Sequence, residues 1–144
     1  MRVAWPPEDR LRPGHGFEIL GAGTPREDVL ALLGEPSGTH GGDRILSYLN
    51  RGVLVRLDGA DRVESITLGA IFGREGLAWP EVRLPEGVVW DALMTDVRDA
   101  LGEPIDFAAG EVVPGSGRTH HIVRWPGLRL TFDESGHLTS VSVP

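Results

Sequence analysis

The chain carries the same helix exit twice. Asp28-Val29-Leu30-Ala31-Leu32-Leu33-Gly34-Glu35-Pro36 returns as Asp96-Val97-Arg98-Asp99-Ala100-Leu101-Gly102-Glu103-Pro104, at an offset of 68 residues. In both copies an apolar run ends at a glycine, which accepts the left-handed backbone that closes a helix. A proline two positions later forbids a restart. Further on the echo continues at an offset of 75, where Gly52–Asp58 matches Gly127–Asp133 and Val63–Leu68 matches Leu138–Val143. The larger offset places seven extra residues in the central loop of the second copy. Recurrence of this kind marks one structural unit used twice. A unit of roughly 60 residues is only marginally stable alone, so the two copies are expected to share a core.

The spacing predicts four segments. Residues 1–16 are rich in proline and glycine and read as an irregular arm. Residues 17–70 form the first repeat. Thr24 is its expected N-cap, Pro25 suits the first helical position and Glu27 completes a capping box. Val29, Leu30, Leu32 and Leu33 supply the apolar stripe of a helix of about ten residues. After a polar loop, strands are expected over 45–50, 53–58 and 63–68, with Ser65 and Thr67 sharing a face with Val63. Residues 71–83 read as a packed linker. Residues 84–144 form the second repeat, with Asp91 as the cap of a helix over 92–101. A loop over 105–117 follows, then strands over 118–125, 128–133 and 138–143. Short turns make each strand set an antiparallel meander. The predicted class is α+β, with two tandem helix-plus-three-stranded repeats, their sheets joined and both helices on one side. The opposite face is then free to meet a partner.

Composition narrows the function classes. The chain has 144 residues, no cysteine and a net charge of −7. All of its basic side chains are arginine. An acidic balance argues against nucleic acid. The N-terminus lacks a leader-like apolar run and no stretch is long enough to span a bilayer, so the expected compartment is the cytoplasm. Between Glu81 and Glu111 there are eight acidic residues and two basic ones. Asp96, Asp99 and Glu103 lie in this patch, and such a field attracts a basic protein partner.

No catalytic, metal or cofactor set is legible. His120 and His121 are adjacent on a strand, so they point to opposite faces and do not jointly chelate. His40 lies in the other copy's loop. Ser116 sits in a glycine-rich loop without the following helix of a nucleophile turn. Gly21-Ala22-Gly23 lacks the third glycine of a dinucleotide fingerprint. Asp58 and Asp133 are matched acids at strand ends, where aspartate commonly caps a turn. Of the four tryptophans, Trp90 is expected to staple the second helix and Trp79 to pack the linker. Trp5 lies in the arm. Tyr48 and Trp125, together with Arg56, Arg124 and Arg129 on strands, are the candidates for an exposed partner-binding face.

The pattern resembles two related families. Thr24, Val29, Leu33, Gly34, Pro36 and Tyr48 in the first copy, and Val97, Leu101, Gly102 and Pro104 in the second, are similar to the repeat of the outer-membrane assembly lipoproteins of the SmpA/OmlA type. They are also similar to the tandem units of the beta-lactamase inhibitor protein. The resemblance covers residues 17–70 and 84–143 and implies a scaffold that binds another protein with a concave sheet. Those families are lipidated or disulfide-bonded, whereas this chain has no cysteine. Small acidic immunity proteins encoded beside bacterial toxins look similar as well. The expected function is therefore a non-enzymatic binding module, an immunity protein or inhibitor acting on a basic toxin or enzyme. The alternative is a small-ligand-binding protein or enzyme using the cleft between the repeats, with His120 or His121 and nearby carboxylates.

Overall fold

The computed structural model describes residues 10–48, 51–69, 82–110 and 119–143. Their strands form one antiparallel sheet. In chain order they are β1 (Gly38–His40), β2 (Ile45–Tyr48), β3 (Val53–Leu57), β4 (Val63–Gly69), β5 (Asp106–Gly110), β6 (His120–Trp125), β7 (Leu128–Phe132) and β8 (Leu138–Val143). Their order across the sheet is β1-β2-β3-β4-β8-β7-β6-β5. Two helices, α1 (Arg26–Leu33) and α2 (Met94–Leu101), precede β1 and β5 in the chain.

This corrects the expected pair of three-stranded repeats. There is a single eight-stranded sheet, and β1 and β5 occupy stretches read above as loop. The reason is local. Gly-Thr-His and Asp-Phe-Ala-Ala-Gly show no apolar alternation, because both strands are sheet edges held by backbone pairing to one neighbour.

The centre of the sheet is the pairing of β4 with β8, in the register Ile66↔Val143, Thr67↔Ser142, Leu68↔Val141 and Gly69↔Ser140. Gly69 has φ +113, and a Cβ on it would stand 2.3 Å from the Thr139 carbonyl oxygen and 3.0 Å from Trp90 Cζ3. Only glycine allows the strands and the indole to close there.

Alternation gives the sheet two unlike faces. Val53, Val55, Leu57, Ile66, Leu68, Leu128, Leu130, Phe132 and Val141 are buried on one of them, with Phe17 and Leu20 from the segment before α1. Each large apolar side chain buried there contributes about 1.5–3 kcal/mol relative to exposure. The helices bury Val29, Leu33 and Val97 in the same core.

Aromatic donors hold both helix exits onto this face. The Tyr48 hydroxyl donates to the Gly34 carbonyl at 2.9 Å, and Trp125 Nε1 donates to the Gly102 carbonyl at 3.0 Å. Gly34 and Gly102 have φ of 82° and 84°, and their amides return to Leu30 and Arg98. The helix starts differ from expectation. Neither N-cap side chain bonds the helix. Thr24 Oγ1 instead accepts from the Gly21 amide at 3.1 Å, and Asp91 lies outside α2 with φ 65°. Arg26 anchors the start of α1 by pairing with Asp61 in the β3–β4 turn at 2.8 Å.

Replacing Gly69 by alanine is predicted to destabilise the fold by about 3 kcal/mol. A guanidinium denaturation midpoint equal to the parent's would contradict this. Tyr48→Phe should cost about 1 kcal/mol near neutral pH. Burial, and secondarily the charge of Glu35, raise the Tyr48 hydroxyl above its ordinary 10.0, against a smaller lowering by Arg51. The fold therefore favours the neutral phenol. That contribution is complete below the unfolded pKa and is lost as pH rises through the folded value. Urea melts above pH 10 are expected to show the parent losing its advantage over Tyr48→Phe; a constant difference would refute the linkage.

Candidate functional site

The second face of the sheet is polar, and among the described residues neither helix covers it. Register sets one row across it: Leu54, Thr67, Ser142, Arg129, Arg124 and Asp106, one from each of β3, β4, β8, β7, β6 and β5. Arg56 lies one step away opposite Ser65. A broad concavity of about 610 Å³ is lined by Leu54, Arg56, Glu64, Thr67, Arg124 and Arg129, among others. Twist in a wide sheet supplies such a hollow without any special loop.

The row depends on a bulge. Arg56 pairs with Ser65 while Leu57 pairs with Val63, so Glu64 is an extra residue on β4. Before it, Val63 points into the core; after it, Ile66 and Leu68 do. Ser65 and Thr67 are therefore on the face opposite Val63, which corrects the strict alternation expected. A bulge of this kind re-aims side chains locally.

Electrostatics distinguish the three arginines. Arg124 is paired with Asp106. Hydrogen bonding to Arg124, reinforced by its charge, holds the Asp106 carboxyl below its ordinary value. Arg56 and Arg129 are exposed, and among the described residues neither side chain has a hydrogen bond or ion pair. Thr67 Oγ1 and Ser142 Oγ lie 3.1 Å apart at the centre of the row. Ile105, 68% exposed, is an apolar group at the rim.

The predicted site residues separate into three groups. Arg56, Arg124 and Arg129 come together on the polar face. Tyr48 and Trp125 are 3% and 5% exposed, and their polar atoms are engaged by the helix exits; Trp125 also lines the concavity. The sequence reading took their size as interface area, when it serves packing. Asp96, Asp99 and Glu103 are exposed on or beside α2, behind the apolar face, and Glu103 is bonded to Arg98 at 2.8 Å. Glu64, Ser65, Thr67, Ser142 and Asp106 share the face with the arginines and were not singled out by the sequence. The break in apolar alternation between Val63 and Ile66 was the available signal.

The remaining candidates resolve locally. Asp58 Oδ1 accepts from the amides of Ala60 and Arg62 at 2.8 and 3.1 Å. Asp133 Oδ1 accepts from those of Ser135 and His137, both at 2.9 Å. Both acids are turn caps. His121 stacks on Phe107 with centroids 5.7 Å apart. His40 is on β1 and His120 and His121 on β6, near opposite edges of the sheet. Among the described residues no group of three or more His, Cys, Asp or Glu is placed to hold a metal ion, and no helix is long and apolar enough to cross a membrane. Trp90 packs against the core. Ser116, Trp5, Trp79 and residues 71–81 of the linker expected over 71–83 lie outside the described residues.

The Asp106–Arg124 pair is testable by pH titration. The Asp106 carboxyl carbon signal should titrate below 3.8, the ordinary value, and rise towards it in Arg124→Gln. A depressed carboxylate contributes stability above its unfolded pKa and loses it as pH falls through the folded one. On an exposed pair that contribution is small. An unshifted midpoint in the parent protein would remove the pair.

No family model and no curated protein matches this chain. The crystal structure of a DUF4309 family protein (YjgB) from Bacillus subtilis subsp. subtilis str. 168 is similar to it in fold. The match covers 90% of this chain and 86% of that one, with a TM-score of 0.56 and 16% sequence identity. At that identity the likeness is one of fold.

Proposed function

We propose that this protein is a non-enzymatic binding module that docks another protein on the polar face of its sheet. In its most specific form it is an immunity protein or inhibitor that neutralises a toxin or enzyme by direct contact in the cytoplasm. The observation that carries the reading is the concavity around Arg56, Arg124 and Arg129, on the face that neither helix covers. Arginine is favoured at the energetic centres of interfaces, and strands hold its Cα positions firmly.

The charge of this face departs from the chain as a whole. A net charge of −7 points towards a basic partner, but Asp96, Asp99 and Glu103 lie away from the arginines. A partner seated in the concavity meets guanidinium groups and hydroxyls. The volume is also within the range of small-molecule pockets, which favours the ligand-binding alternative to that extent. A lining rich in charged side chains, rather than mainly apolar, favours the protein partner.

The test is calorimetry of the purified protein with toxins and enzymes encoded by neighbouring genes. The expected result is a one-to-one complex weakened at least tenfold by Leu54→Trp or Ser65→Trp, each of which fills the concavity. Asp99→Asn on α2 should leave it unchanged. Loss of binding in Asp99→Asn with full binding in both tryptophan variants would move the interface to the helix side and overturn the reading.

A further inference from the structure

Arg124 and Arg129 are direct cross-strand partners, and both are exposed on the same face. Like charges placed opposite one another weaken a strand pair. A chain with 21 acidic residues has carboxylates in ample supply for such a position. One is used: Asp106, the next residue in the row, takes Arg124. The row thus runs carboxylate, guanidinium, guanidinium, and then reaches the hydroxyls of Ser142 and Thr67. Arg129 has no counter-ion among the described residues. Glu64 lies two strands over and three residues along, roughly 10 Å in each direction, on the Arg56 side.

Resting on the docking reading above, we infer that the partner supplies the missing charge. A carboxylate on an acidic segment of the partner protein pairs with Arg129, beside the Thr67–Ser142 hydroxyls, and completes an alternating row with Arg124 and Asp106. The guanidinium fork suits this task, because it grips a carboxylate through two parallel hydrogen bonds. Asp106 keeps Arg124 from competing for the same group. Arg56 is three strands and two residues from Arg129, a separation of roughly 16 Å. An extended segment with acids about five residues apart spans both arginines.

The experiment titrates the full chain with a capped six-residue peptide carrying glutamate at both ends and glycine and serine between, and with its glutamine counterpart. The readout is the arginine Nε–Hε and backbone amide NMR signals. The glutamate peptide should shift Arg129 saturably, with an affinity that falls as salt rises; the glutamine peptide should not. Arg129→Gln should weaken the peptide at least tenfold, read on the β8 amides, while Arg129→Lys retains part of the binding. Because the like-charge pair is gone, Arg129→Gln should also raise the melting temperature of the free protein. Equal shifts with both peptides, or no saturable shift at Arg129, overturn the proposal.

The two levels fail separately. If both tryptophan variants abolish partner binding and Arg129→Gln leaves it intact, the docking face stands and the carboxylate contact falls. If the glutamate peptide titrates Arg129 while the tryptophan variants still bind the partner fully, carboxylate recognition by Arg129 stands and the docking reading falls.

Discussion

Everything in this molecule depends on the pairing of β4 with β8. Those two strands convert two halves, each a helix and four strands, into one sheet. A backbone seam of this kind tolerates no misfit. Gly69 lets the strands close where any Cβ would meet a carbonyl oxygen, and Thr67 and Ser142 meet across it on the polar side. Four strands with one short helix bury too little surface for comfort. Joined, they share a core that runs across the sheet from Leu46 on β2 to Val123 on β6.

The seam also fixes the geometry of the polar face. With the sheet continuous, alternation separates an apolar face, where the helix exits are held by Tyr48 and Trp125, from a polar one. Arginines from both halves then share a single hollow: Arg56 from β3, Arg124 from β6 and Arg129 from β7. Neither half alone assembles that group. The strands also repel one another locally, because Arg124 faces Arg129. That like-charge pair lies in register on the polar face.

Much of the local structure was legible in the sequence, and the losses have physical causes. Gly34 and Gly102 announced their helix ends because left-handed backbone selects glycine. Asp58 and Asp133 announced their turns because a short carboxylate reaches amides two and four residues on. The six inner strands showed in their apolar alternation. The edge strands β1 and β5 did not, since pairing on one side asks little of the side chains. The bulge at Glu64 looked like ordinary alternation shifted by one, which sent Ser65 and Thr67 to the wrong face. Thr24 and Asp91 have capping side chains, but the chain turns before each helix in a way that sends them elsewhere. Tyr48 and Trp125 are buried where exposure was expected, because an amphipathic aromatic serves an interface and a helix clasp equally well. Only the positions of Gly34 and Gly102 in space decide between them.

The central claim is that the polar face of the joined sheet is where a partner sits. Amide hydrogen exchange of the complex, compared with the free protein, tests it most directly. The account predicts added protection in β3, β4, β7 and β8 around Arg56, Thr67, Arg129 and Ser142, with α1 and α2 unchanged. Added protection confined to α2 and the residues around Glu103, with those strands exchanging as before, would contradict it.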